Sequence, residues 1–225
     1  MTGRRAVLGF DTETTGTDMA EARIVAAAMV WRDGGGQVVR ERSWLIDPGV
    51  PIPPEASAVH GITDVSAGQP PAVALAEMAA ELTSGWPLVV FNAPYDLTVV
   101  DVELRRHGLE PLTGRRGPVW PVLDPLMIDW GLWPERAGRR TLAALCELHG
   151  CRPRARHDAA EDARAAIELW DRLREAAPDL GDWPAVRLAE FQRAAHQSWV
   201  AHLADAQAAH GHAPDAIPGW PFARL

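Results

Sequence analysis

Two rhythms of apolar and polar residues run along this chain, and the change from one to the other divides it. Ala6 to Phe10 is an unbroken apolar run, and Val7 to Phe10 within it reads as a buried strand. Arg23 to Trp31 is apolar and partly β-branched, and Gln37 to Ile46 alternates. Gly34-Gly35-Gly36 between them is a hairpin turn signal. The opening therefore predicts a three-stranded antiparallel meander. Pro48 to Pro54 reads as an irregular proline-rich loop, followed by the stretch Glu55 to Ile62. Apolar residues then recur at helical spacing between Pro70 and Leu82 (Val73, Leu75, Met78, Ala79, Leu82). Leu88 to Phe91 predicts a fourth strand, and Pro94 to His107 a helix with Pro94 suited to its first turn. Trp120 to Leu123 predicts a last strand, with helices at Asp124 to Trp130, Thr141 to His149 and Ala159 to Ala176. A meander followed by alternating strands and helices is an α/β pattern. Beyond Pro178 only one helical stretch remains, Pro184 to Ala209, before a Gly/Pro/His tail. The expected division is residues 1–177 as one α/β domain and 178–225 as a helical extension.

Composition narrows the class. The 225 residues are 47% apolar and 23% charged, enough for one well-cored domain with an extension. No apolar run approaches the roughly 20 residues of a membrane helix, and the short apolar stretch after Arg4 and Arg5 breaks at Asp11, so no signal peptide is expected. The two cysteines, Cys146 and Cys151, fit a reducing compartment and a cytoplasmic location. A net charge of −8 argues against a broad cationic nucleic-acid footprint. It is compatible with a site that holds phosphates through metal ions, because such a site needs carboxylates. Lys is absent, so any phosphate contact from a basic side chain would be a guanidinium.

The acids carry the chemistry. Asp11 and Glu13 close the first apolar run one residue apart, and alternation sends i and i+2 to one face of a strand. Two like charges in a half-buried place need a cation or a shared proton, which is how a hard divalent-metal site begins. Asp96 follows the fourth strand in the first turn of a helix, and His157-Asp158-Ala159-Ala160-Glu161-Asp162 opens the long helix. Taken singly, each has a plainer reading. Asp96 suits a helix N-terminus, Asp158 and Glu161 do the same beside Asp162, and His157 reads as a surface histidine. Asp124 reads as structural, and His60 serves equally as a substrate contact or a turn cap. His196, His202, His210 and His212 match no compact zinc spacing.

Together and in this order, the three acidic segments resemble the DEDDh 3′–5′ exonucleases of the DnaQ-like group, typified by the proofreading ε subunit of bacterial DNA polymerase III. The resemblance covers most of residues 1–176. It rests on Asp11 and Glu13, on Asn92 with Asp96, and on His157 with Asp162. Ala56 to Thr63 resembles the group's loop near the terminal nucleotide. Tyr95 stands where the group commonly has phenylalanine. The resemblance implies an RNase H-like fold, a mixed five-stranded sheet flanked by helices, with the helical extension added. It implies two Mg²⁺ (or Mn²⁺) ions held by Asp11, Glu13, Asp96 and Asp162, with Asp11 bridging and Asp96 acting through water. His157 would be the general base, and Thr12, Thr14, His60 and Asn92 would lie on the substrate side. The implied activity is metal-dependent release of nucleoside 5′-monophosphates from 3′ ends of single-stranded nucleic acid, DNA favoured over RNA. A DNA polymerase is a candidate partner, and no membrane is expected. A short-RNA exonuclease of the same group and a non-catalytic nucleic-acid or polymerase-binding module are the alternatives.

Overall fold

The first strand is longer than its apolar run. In the computed structural model, which describes residues 5–115, 121–151, 158–210 and 219–225, β1 spans Val7–Thr14 and carries Asp11 and Glu13 within it, not beyond its end. The extension comes from pairing. β2 (Ile24–Arg32) runs antiparallel beside β1 through the acids, with Asp11 opposite Ala28 and Glu13 opposite Ala26. The glycine turn then folds β3 (Val38–Leu45) back onto β2; Gly36, at φ 88°, donates to the Asp33 carbonyl. The predicted meander is therefore present.

The remaining strands are short and parallel to β1. β4 (Leu88–Val89) pairs with Leu8 and Gly9, and β5 (Val122–Leu123) pairs with β4. Both are shorter than the expected spans, and Trp120 lies outside the described residues. The strand order is β3-β2-β1-β4-β5, a mixed five-stranded sheet. Helices α2 (Pro71–Leu82), α3 (Ala93–Arg106), α4 (Pro125–Leu132), α5 (Leu142–Leu148) and α6 (Ala159–Ala176) fall close to their predicted spans. One helix was not foreseen. Ala56 to Thr63, expected as a loop, begins inside α1 (Pro54–His60), which starts on a proline and is followed by left-handed Gly61. Proline inside the start and glycine past the end was the available signal.

Two glycines set how closely helices pack. A Cβ on Gly9 of β1 would lie 2.7 Å from Ile167 Cδ1 and 2.8 Å from the Ala163 carbonyl oxygen. Helix α6 thus rests directly on β1, and its first residues Ala159 and Ala160 pack against Ala28 of β2. A Cβ on Gly131 of α4 would lie 2.5 Å from the Phe191 ring. That ring belongs to α7 (Ala185–Ala209), which packs on α4 with Leu188, Ala189, Gln192, Ala195 and His196 buried. The C-terminal residues return to the body. Trp220 is buried, and Ala223 N–H donates to Thr98 Oγ1 of α3 at 2.8 Å.

Candidate active site

The carboxylates converge where β1, α3 and α6 meet. Oxygen atoms of Asp11, Glu13 and Asp162 lie within 4.8 Å of one another. Their convergence follows from local causes: strand alternation aims the first two, and the close seat of α6 on Gly9 brings its first turns over β1. The alanines of β2 opposite Asp11 and Glu13 add no bulk there. Asp158 caps α6, accepting from Ala160 N–H at 3.0 Å and Glu161 N–H at 3.1 Å, which leaves Asp162 to face the pair.

Asp96 sits beside this trio but is held apart from it. Parallel pairing with β4 ends at Gly9, so the N–H of Thr12 has no strand partner on that side. Asp96 Oδ1 accepts from it at 3.0 Å and from the Thr12 hydroxyl at 2.6 Å. The Asp96 side chain is buried, with 4% of the residue exposed.

Electrostatics reflect four acids drawn together. Burial, and then the charges of Asp96, Asp162, Glu13 and Asp158, raise Asp11 well above the ordinary carboxylate range. Burial, followed by Asp162, Asp96 and Asp158, raises Glu13 to about 7. Asp96 also rises to about 7, chiefly by burial and against the hydrogen bonds from Thr12. Such a group fits a hard divalent cation: the donors are all oxygen, they converge, and their mutual repulsion is relieved by positive charge.

The other expected site residues fall as follows. Thr12 and Thr14, expected on the substrate side, have hydroxyls turned to protein partners. Thr12 holds Asp96, and Thr14 Oγ1 donates to the Gly16 carbonyl at 2.8 Å and meets the Tyr95 hydroxyl. Tyr95, the departure from phenylalanine, donates to the same Gly16 carbonyl, so the extra oxygen ties α3 to the end of β1. Asn92 is exposed and left-handed (φ 61°) at the start of α3. His60 Nδ1 accepts from Ile62 N–H at 3.1 Å, the turn-capping reading. His157 lies outside the described residues, as does His212. His202 packs against Trp130 and Trp199.

Asp124, read as structural, is a hub. Fully buried, it accepts from Asn92 N–H and Ala93 N–H at 3.0 Å each and caps α4 through Leu126 N–H at 3.1 Å. It thereby ties together the starts of α3 and α4. Sequence reasoning missed Gln192 altogether, since nothing local distinguishes this glutamine from a solvated one on an amphipathic helix.

Residues 8–170 match the model of the RNase_T family, described as Exonuclease. A DNA polymerase III subunit epsilon from Treponema pallidum is 32% identical over 168 residues, covering 73% of this chain and 74% of that one. A DNA polymerase III subunit epsilon-like protein from Rhodobacter capsulatus is 36% identical over 169 residues, 73% of this chain but 23% of the relative. Among solved structures, Escherichia coli exonuclease I in complex with a dT13 oligonucleotide aligns with a TM-score of 0.66 at 22% identity, covering 80% of this chain and 43% of that one. Exonuclease I from Methylocaldum szegediense aligns with a TM-score of 0.65 at 24% identity, over 79% and 42% of the two chains. This chain therefore spans less than half the length of the exonuclease I chains.

Proposed function

We propose a substrate and mechanism from one premise: the chain belongs to the RNase_T exonuclease family and is a 3′–5′ exonuclease. The substrate is the 3′ end of single-stranded DNA, shortened one nucleoside 5′-monophosphate at a time. The observation that carries this reading is the convergence of Asp11, Glu13 and Asp162 oxygens within 4.8 Å, with Asp96 buried alongside. Asp11, Glu13 and Asp162 would hold two Mg²⁺ or Mn²⁺ ions directly and Asp96 would hold them through water. Such a pair supplies stabilisation of the attacking and leaving oxygens of a phosphodiester.

The protein's own groups do the rest. Thr12 fixes the carboxylate of Asp96, so that its free oxygen keeps one direction. Tyr95 and Thr14 brace the turn at Gly16, and the exposed Asn92 faces the nucleotide side. His157, one residue before the cap of α6 in sequence, receives the proton of the attacking water on a ring nitrogen. The terminal base must separate from any pairing partner to enter a narrow cleft, which favours single strands. DNA is preferred because relatives are named as DNA polymerase III subunits and exonuclease I was solved with a DNA oligonucleotide. The names of the same relatives support a DNA polymerase as partner. The exonuclease unit is residues 1–177, with 178–225 as its extension.

Labelled DNA and RNA oligonucleotides of equal sequence, incubated with Mg²⁺ or with EDTA, test the reading. Wild-type protein should release mononucleotides from DNA 3′ ends only with Mg²⁺. Asp11→Ala should lower the rate by about 10²–10³-fold or more while the protein still melts cooperatively. Full activity in that variant would remove the site; preference for RNA would transfer the substrate to the short-RNA class.

A further inference from the structure

The family match ends at residue 170, yet a side chain beyond it completes the sheet. β5 is the last strand, and its outer edge presents the Val122 carbonyl and the Asp124 N–H. Gln192 of α7 answers both. Its Oε1 accepts from Asp124 N–H at 2.6 Å, and its Nε2 donates to the Val122 carbonyl at 3.0 Å. The side-chain amide thus stands where the peptide of a sixth strand would stand. Nε2 also donates to the Leu188 carbonyl at 3.0 Å, which fixes the amide on its own helix, and Gln192 is 0% exposed.

Resting on the exonuclease reading, we propose that Gln192 is a positioning residue for the nuclease site, acting through Asp124. The hydrogen bonds form one continuous path. Gln192 holds the backbone of Asp124; the Asp124 carboxylate holds the N–H groups of Asn92 and Ala93. Those residues start α3, whose first turn carries Tyr95 and Asp96. Asn92 adopts a left-handed conformation, the one positive φ of a non-glycine residue among the described residues, and this buried carboxylate receives its N–H. A small shift of Asp124 therefore re-aims Asp96, on which the site's acidic geometry depends. The C-terminal helix is, on this account, a working part of the nuclease.

Gln192→Met keeps the length of the side chain and removes all three of its hydrogen bonds. Leu188→Ala is the control, since it loosens the same helix by removing a buried side chain and keeps the Gln192 amide and the backbone carbonyl that anchors it. Both are assayed in the full chain, well below their melting temperatures, on a single-stranded DNA oligonucleotide across a Mg²⁺ titration. Gln192→Met should lower kcat by about tenfold or more and raise the Mg²⁺ concentration for half-maximal rate, as losses of ligand-supporting partners do, with KM for the oligonucleotide unchanged. Leu188→Ala should lower the melting temperature and leave kcat near wild type. Wild-type kcat and Mg²⁺ dependence in Gln192→Met overturns the proposal, as does a parallel fall in Leu188→Ala. If Gln192→Met does not fold, amide hydrogen exchange of the wild-type protein decides instead. The Asp124, Asn92 and Ala93 amides should be strongly protected, and exchange at loop rates overturns the path. A wild-type protein inactive on every 3′ end would defeat the exonuclease reading, which these comparisons separate from the role of Gln192.

Discussion

Tyr95 has one hydroxyl and two uses for it, at the Gly16 carbonyl and at Thr14 Oγ1. Burial pushes its ionisation up to about 12, so the group remains a protonated donor at any working pH. A phenylalanine would fill the same space and leave the Gly16 carbonyl to Thr14 alone, without its tie to α3. Tyr95→Phe is expected to raise KM for a DNA oligonucleotide roughly two- to tenfold, the equivalent of one net hydrogen bond of about 0.5–1.5 kcal/mol, with kcat little changed. Steady-state kinetics on a fixed oligonucleotide separates the two constants, and an unchanged KM would show that the tie has no bearing on the nucleotide.

The contact between α6 and β1 decides whether Asp162 reaches Asp11 and Glu13 at all. Gly9→Ala places a methyl group within 3 Å of Ile167 and the Ala163 carbonyl. Overpacking of this kind typically destabilises by about 1–3 kcal/mol, and relief by lifting α6 also withdraws Asp162. Melting temperature and kcat should fall together; a variant matching wild type in both would mean that the helix has room to spare. The acids themselves were legible in sequence, because each sits at a local signal: an apolar run ending, a helix N-terminus, a capping aspartate. The meander and α6 were legible for the same reason. What escaped was set by distant chain. β1 continues through Asp11 to Thr14 because β2 pairs there. Thr12 serves Asp96 across 84 residues of sequence, and Gln192 serves Asp124 across 68. The hydroxyl of a threonine and the amide of a glutamine look alike wherever they end up, so no pattern in the sequence could assign them.

At the scale of the molecule, buried acid is a liability without a cation. Glu13 and Asp96 bind their protons more tightly when folded, with values raised by burial from 4.5 and 3.8 to about 7. The folded state therefore holds more protons than the unfolded state between about pH 4 and 7, and stability must fall as pH rises through that window. In EDTA the melting temperature should drop from pH 5.5 to pH 8, by about 2–4 °C for each kcal/mol at this chain length. Mg²⁺ should restore more at pH 8 than at pH 6, since Glu13, raised to about 7, must lose its proton to hold the ion. Thermal melts with and without Mg²⁺ across that range check the sign, and a melting temperature flat in pH without metal would contradict the burial of these groups. The sheet itself ends unevenly. Gln192 closes one margin, while β3 leaves the other without a strand neighbour among the described residues and bears exposed Val38 and Val39. Arg40, Glu41 and Arg42 follow them, with Arg40 and Arg42 bound to Glu81 and Glu77 of α2. Charge along an open margin discourages stacking of one molecule on the next. Exchanging Arg40 and Arg42 for threonine should convert a clear solution into one whose light scattering grows with time, even where the nuclease centre is intact.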